Sequence, residues 1–250
     1  MRLDELVAYL DDYLAVREVP DYPNAFNGLQ VEGRTEVRRV ALAVDACLFT
    51  IRAAIDGNAD LMLVHHGLLW GDRAPVTGRY YERLALLIKN DLAVYASHLP
   101  LDAHPEVGNN HVLARKLGLR AGGMCGEHEG ALIGVWADAT IPLADLADRV
   151  AEAVGARPRL IATGPATTRR VGIVSGGAGT WIDQVQAAGC DTFITGEGPH
   201  HTYFEAEERG INVLYAGHYA TETVGIRALG EHLAQQFGLE TFFIDHPTGL

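Results

Sequence analysis

Cysteine is scarce in this 250-residue chain, and the three present, Cys47, Cys125 and Cys190, are odd in number, widely separated and without a C-x-x-C pair. This supports neither a disulfide framework nor a cysteine-type zinc site, and a reducing cytoplasm is the expected location. Long apolar runs are also missing. None approaches the roughly 18 residues that a membrane helix requires, so no membrane partner is expected. The opening MRLDELVAYLDDYLAV carries acids throughout, where a signal peptide would have a basic start and an unbroken apolar core, and no leader is expected. Positive charge is in deficit, 20 Lys and Arg against 32 Asp and Glu for a formal net charge of −12. That balance argues against broad attraction to nucleic-acid phosphates, leaving only a local basic groove as a route to nucleic acid. What remains, 48% hydrophobic and 21% charged residues, is an ordinary globular composition with length for one large or two small domains.

Hydrophobic periodicity organises the chain. Leu3, Leu6, Val7, Leu10 and Leu14 recur at helical spacing and predict an amphipathic opening helix, ended by Pro20 and Pro23. NAFNGLQVEG, Asn24 to Gly33, reads as a loop. From Arg38 strands and helices alternate: a strand at 40–44, a helix at about 47–56, a strand into ADLMLVHHG, a helix at about 79–90 and a strand at 92–97. Such βαβαβ order predicts a mostly parallel sheet with right-handed crossovers. A helix at 108–117 follows. The character changes near Gly122-Gly123, which predicts a first α/β domain over 1–124 and a second over 125–250, with the C-terminal segment free to pack back on the first. The second series has strands near 132–136, 171–175, 192–195, 213–216 and 241–244, and helices at about 143–154 and 222–237.

An internal repeat is the most informative pattern. Arg38-Arg39-Val40 and Arg169-Arg170-Val171 open strands 131 residues apart, and DLMLVHHG from Asp60 aligns with DTFITGEG from Asp191 at the same offset. His66 therefore corresponds to Glu197. The third strands, LAVYASHLPLD and INVLYAGHYATE, pair His98 with His218 and Asp102 with Glu222, so both copies close in H-x-x-x-[DE]. The expected fold class is α/β, two similar interlinked α/β units with mostly parallel sheets and a dinuclear metal cleft between them. Carboxyl ends of parallel strands open into the ligand crevice of such sheets. Imidazoles with a carboxylate four residues on, at that end, suit a divalent cation. Two facing halves would collect His65, His66, Asp102, His218 and Glu222, more donors than a mononuclear catalytic zinc uses and enough for a two-metal site. Read singly, the histidines could be core or surface residues, and Asp102 and Glu222 could be acids at helix N-termini.

The segments DYPNAFNGLQVEG, LVHHGLLW, SHLPLDAHPEVGNN, ITGEGPHH and AGHYATE, in this order over nearly the whole chain, resemble the GTP cyclohydrolase 1 type 2 homolog (Nif-three-like) family, in its short bacterial form without the inserted middle domain. The resemblance implies metal ligation by His65, His66, Asp102, His218 and Glu222, with Glu222 bridging. It also implies a toroidal homohexamer. His98 would stand beside the site as a further ligand, a positioning group or a proton shuttle, and Glu197 is a second candidate for proton transfer. The expected cofactors are two divalent ions per subunit, Zn, Fe, Mn or Co, which affinity order alone does not distinguish. The expected activity is metal-dependent hydrolysis of a small molecule such as a nucleotide; the alternatives are a metal-delivering or regulatory ring without turnover and, with less support, a nucleic-acid-binding protein. A triphosphate would rely on the metals and on local cations such as Arg73 and Arg79. GIVSGGAG, Gly172 to Gly179, reads either as a tight strand-to-helix turn or as a phosphate loop, although the Lys-Ser/Thr ending of a P-loop is missing. His200 and His201 follow the second-copy strand and read as surface or site-lining residues. Trp70 and Tyr219 adjoin ligands and read as packing residues or as rings for a base to stack on.

Overall fold

The computed structural model describes residues 1–70 and 75–249, and Arg73 lies outside them. By contacts the chain divides into two compact units, Met1–Leu101 with Ile226–His246, and Asp102–Gly225 with Pro247–Leu250. The division falls at Leu101/Asp102, whereas the change in sequence character coincides with the first strand of the second sheet, at Gly123.

In the first unit, α1 (Leu3–Tyr13) is followed by β1 (Gly28–Val31), β2 (Arg39–Asp45), α2 (Leu48–Asp56), β3 (Leu61–His66), α3 (Gly78–Lys89), β4 (Ala93–Ala96) and α4 (Leu99–Ala103), whose last two residues belong to the second unit. Five strands form a sheet in the order β1-β4-β3-β2-β11, with β11 (Glu240–Phe243) parallel to β2. Only β1 runs antiparallel to its neighbour. The segment around it reads as a loop in sequence because Asn24, Asn27, Gly28 and Gly33 mask four residues that complete the edge of the sheet. β3 is apolar throughout except at its end, as a strand covered on both faces must be. Ala41, Ala43, Ile51, Met62, Val64, Leu87 and Val94 make one buried cluster under α2 and α3.

The second unit contains α5 (Asn109–Lys116), β5 (Gly123–His128), β6 (Ala131–Pro142), α6 (Leu143–Val154), β7 (Arg159–Ile161), β8 (Thr167–Val174), a 3-10 turn at Gly179–Trp181, α7 (Ile182–Ala187), β9 (Thr192–Thr195), α8 (Thr202–Arg209), β10 (Asn212–Tyr215) and the start of α9 (His218–Phe237). Its six strands lie in the order β5-β6-β8-β9-β10-β7, with β8, β9 and β10 parallel and the flanking strands antiparallel. The sheet is more mixed than the βαβ pattern implies, because β5 and β6 form a hairpin. Its two-residue turn has positive φ at Glu129 (48°) and Gly130 (90°), and so short a loop joins only antiparallel strands. Phe193, Val213, Ile182, Val185 and Ile211 form the core beneath it.

The internal repeat appears as identical strand register. Val40 lies opposite Leu61 and Leu61 opposite Ala93; in the second copy Val171 lies opposite Thr192, each 131 residues on, and Thr192 opposite Asn212, 119 residues after Ala93. The same carboxylate locks both copies. Asp60 accepts the backbone N–H groups of Arg38 and Arg39 at 2.9 and 3.0 Å, and Asp191 accepts that of Arg169 at 3.0 and 3.2 Å. The correspondence slips by one residue at the site. The Ser97 and Ala216 N–H groups bond equivalent carbonyls, of Val64 and Thr195, but Gly217 intervenes before His218, so His98 and His218 are not strict equivalents.

Candidate metal centre

The sheet of the first unit carries His65 and His66 on the last two residues of β3, with His98 just after β4, at the carboxyl ends of adjacent parallel strands. Their rings gather at centroid separations of 4.7 Å (His65 to His66), 5.0 Å (His65 to His98) and 5.5 Å (His66 to His98). One ligand nitrogen from each lies within 4.8 Å of the others. Every one of the three is held through Nδ1. His65 Nδ1–H donates to the carbonyl of Ser97 at 3.0 Å, His66 Nδ1 meets the Asp45 carboxylate at 2.9 Å, and His98 Nδ1 meets Asp21 at 2.8 Å. A carbonyl or carboxylate acceptor on Nδ1 fixes the tautomer that presents the Nε2 lone pair, the arrangement that orients metal-binding histidines.

Asp21 is in turn built into the structure. Its carboxylate also accepts Asn27 Nδ2 at 2.8 Å and the N–H groups of Tyr22 and Leu99 at 2.7 and 3.0 Å. Burial acts to raise its pKa, but the His98 hydrogen bond and charge and the further donors outweigh burial and leave the pKa lowered. Asn27 Oδ1 accepts the His98 N–H at 2.7 Å, so one loop fixes both ring and backbone of that histidine. Sequence reasoning gave Asp45 and Asp21 no role. Asp45 ends β2 beside the end of β3, a signal available from the strand pattern; Asp21 opens the DYPNAFNGLQVEG segment, where no local pattern marks it as a partner of His98.

In the second unit, Asp102 is buried on α4 and its Oδ1 accepts Asn109 Nδ2 at 2.8 Å and Ser175 Oγ at 3.0 Å. The sequence predicts a helix from Glu222, yet α9 starts at His218, so His218 and Glu222 stand one turn apart on one helix, with His218 Nε2 3.3 Å from Glu222 Oε1. Glu197, after β9, meets His218 Nδ1 at 2.7 Å. The hydrogen bond to Glu222 raises the His218 pKa to about 9 against the opposing effect of burial, and Glu197 adds to the rise. Glu197 thus stands to His218 as Asp45 stands to His66.

The glycine-rich segment serves this group. Gly176 has φ +67°, and a Cβ there would fall 2.3 Å from Glu222 Oε1 and 3.4 Å from His218 Nε2. Its N–H donates to Thr221 Oγ1 at 3.0 Å, the Ser175 N–H to Asn110 Oδ1 at 2.7 Å and the Gly179 N–H to the Glu197 carbonyl at 3.0 Å. These donors are engaged within the fold, and a 3-10 turn follows. The segment is a tight turn that supports Asp102 through Ser175 and admits Glu222 at Gly176. His200 and His201 are exposed, with His201 3.8 Å from Glu205. Arg79 is exposed on α3.

The donor set suits a borderline divalent ion. The first unit offers oriented imidazole nitrogens, and the second offers a buried carboxylate, Asp102, and a histidine-carboxylate pair, His218 and Glu222, with no thiol among these candidates. Residues 1–249 match the family Duf34/NIF3 (NGG1p interacting factor 3). A Deinococcus radiodurans protein named GTP cyclohydrolase 1 type 2 homolog is 44% identical over 99% of this chain and 94% of its own length. A Pyrococcus abyssi protein of the same name is 43% identical, with both chains fully covered. Among solved structures, TTHA1606 from Thermus thermophilus is 43% identical and superposes over the full length of both chains with a TM-score of 0.91. With a family match over nearly its whole length and relatives this similar, the chain belongs to the Duf34/NIF3 family.

Proposed function

We propose that this chain binds two divalent metal ions through His65, His66, Asp102, His218 and Glu222 and is a hydrolase of a nucleotide or related small molecule. The observation that carries the reading is the Nδ1 anchoring of His65, His66 and His98, which directs three Nε2 lone pairs to one place. An acceptor on Nδ1 is also what any buried imidazole requires; the support comes from the gathering of three such rings with one ligand nitrogen each within 4.8 Å of the others. The names of the relatives point to GTP as the first nucleotide to test.

When bound, the ions would supply Lewis acidity toward a substrate oxygen and toward water. The chain's own groups do the rest. Asp45 and Asp21 hold the imidazoles of His66 and His98 in one tautomer, and Glu197 does the same for His218. His98, half-buried beside His65 and backed by Asp21, is placed to accept or return a proton through Nε2, as a histidine backed by a carboxylate does in other hydrolytic sites.

Metal analysis of anaerobically purified protein tests the first part, with about two ions per chain expected, as for a two-metal centre. An occupancy near one in metal-replete protein, or no loss in the doubly substituted His65→Ala, Glu222→Ala chain, would refute it. Turnover of GTP, other nucleotides, phosphoesters and cyclic amides tests the second, and Glu222→Gln should lower any activity by orders of magnitude while the fold persists. Full metal occupancy with no turnover across these classes would replace the enzyme reading with a metal-delivery or regulatory one.

A further inference from the structure

Trp70 is one of the few large apolar residues the fold leaves open to solvent, 37% exposed, and Tyr22 (41%) and Phe26 (53%) belong to the same region of chain. Exposure alone means little, since single apolar residues on surfaces are common. What distinguishes Trp70 is how firmly its backbone is held. Gln30 Oε1 accepts the N–H groups of Leu68 and Leu69 at 2.7 and 3.2 Å, and Gln30 Nε2 donates to the Phe26 carbonyl at 2.6 Å. Gly67 makes room for that clamp, because a Cβ there would lie 2.2 Å from Gln30 Nε2. The Phe26 N–H reaches the Leu69 carbonyl at 3.3 Å, and Ala25 forms a β-bridge with Trp70 itself. The segment that follows the two histidines is thereby stapled to the 25–30 segment.

The stapled ring stands against the histidine cluster. The Trp70 ring lies 4.9 Å from His98 at an interplanar angle of 76° and 5.9 Å from His66 at 65°, and Tyr22 lies 5.9 Å from His98. Steep angles to both imidazoles mean that Trp70 is not stacked on them, and more than a third of the residue remains open beside the atoms a substrate must approach. A rigid, half-open indole at that place loses little conformational freedom on binding a flat ring, and stacking accepts any base because each has a π face. The charge balance favours the same occupant. With a net charge of −12, the surface offers a phosphate chain little general attraction, so a nucleotide would draw affinity from its ring.

We propose that Trp70, with Tyr22, is the stacking platform for a planar heteroaromatic ring, the nucleobase of the substrate; this rests on the hydrolase reading and adds to it the residues that would hold the base. The test uses the full-length, metal-loaded chain and measures Kd by calorimetry for a purine nucleoside monophosphate and for ribose 5-phosphate, which has no base. Trp70→Leu and Tyr22→Leu should each weaken the purine ligand, Trp70→Leu by roughly ten- to a hundredfold, a span typical of lost base stacking. Ribose 5-phosphate affinity should stay within twofold, and Trp70→Tyr should restore most of the purine affinity. Purine affinity unchanged in both leucine variants, absent in the wild type, or lost in parallel with ribose 5-phosphate would overturn the platform. Metal content measured on the same samples separates the two readings. Wild-type protein without metal sinks the metal-centre reading, whereas full occupancy with insensitive purine binding sinks the platform alone.

Discussion

Replacing Gly176 with alanine probes the close approach of the glycine-rich turn to Glu222. Two costs are expected. The first is backbone strain: Gly176 sits at φ +67°, where an L-residue with a Cβ is disfavoured by about 1–2 kcal/mol. The second is local. The new methyl would lie 2.3 Å from Glu222 Oε1, about 1 Å short of ordinary van der Waals separation, so the buried carboxylate or the turn must shift. Ligand positions tolerate only about 0.2 Å, so a displacement near 1 Å should lower metal affinity by at least the ~10–100-fold seen when supporting groups are lost. Gly155→Ala supplies the control, since Gly155 has φ +78° at the end of α6 and a methyl added there would meet nothing within 4 Å. Urea unfolding of the metal-free proteins should show Gly155→Ala losing about 1 kcal/mol and Gly176→Ala about 1–3 kcal/mol more. Chelator competition should show the metal defect in Gly176→Ala alone. Equal stability losses with wild-type metal affinity in both variants would refute the close approach of Gly176 to Glu222.

Further outcomes follow from particular contacts. Asp45→Ala removes the acceptor on His66 Nδ1 and should weaken metal binding by about 10–100-fold in chelator competition while thermal stability changes little; unchanged affinity would mean that Asp45 does not orient a ligand. Asp60→Ala strips the acceptor of the Arg38 and Arg39 N–H groups and Asp191→Ala that of Arg169, the counterpart of Arg38, and each should cost about 1–3 kcal/mol in urea unfolding. A loss in one variant only would show that the copies are not locked alike. Burial raises the thiol pKa of Cys125 to about 11 and of Cys190 to about 12, so neither holds appreciable thiolate at pH 8. Half-buried Cys47 should then be the first of the three to react with a disulfide reagent in the native chain, and rapid labelling of Cys190 would contradict its burial.

Sequence alone determined the local elements and pointed to candidate site residues. Apolar runs of strand length, helical spacing in the first fourteen residues, and the 131-residue offset between Val40 and Val171 locate β2, β3, β8, β9, α1 and α6 to within a few residues. They are legible because each is written in the period of a single element. The repeat even predicts register, since the same position of each second strand carries the aspartate that bonds the start of the first.

Tertiary structure decided what depends on partners distant in sequence. β1 becomes a strand only because β4 offers it an edge, and β11 joins β2 across nearly two hundred residues. The extra turn that puts His218 and Glu222 on one helix rests on the Gly217 corner, which no periodicity marks. No sequence pattern marks Asp21, Asn109 or Ser175 as partners of the candidate site, and only its place at a strand end marks Asp45. The fold sets each within hydrogen-bonding distance of His98, His66 or Asp102, where those bonds orient the candidate side chains. Histidine spacing could mark candidate ligands because coordination requires particular atoms; the groups that aim such side chains require only distance and direction, which the folded chain alone supplies.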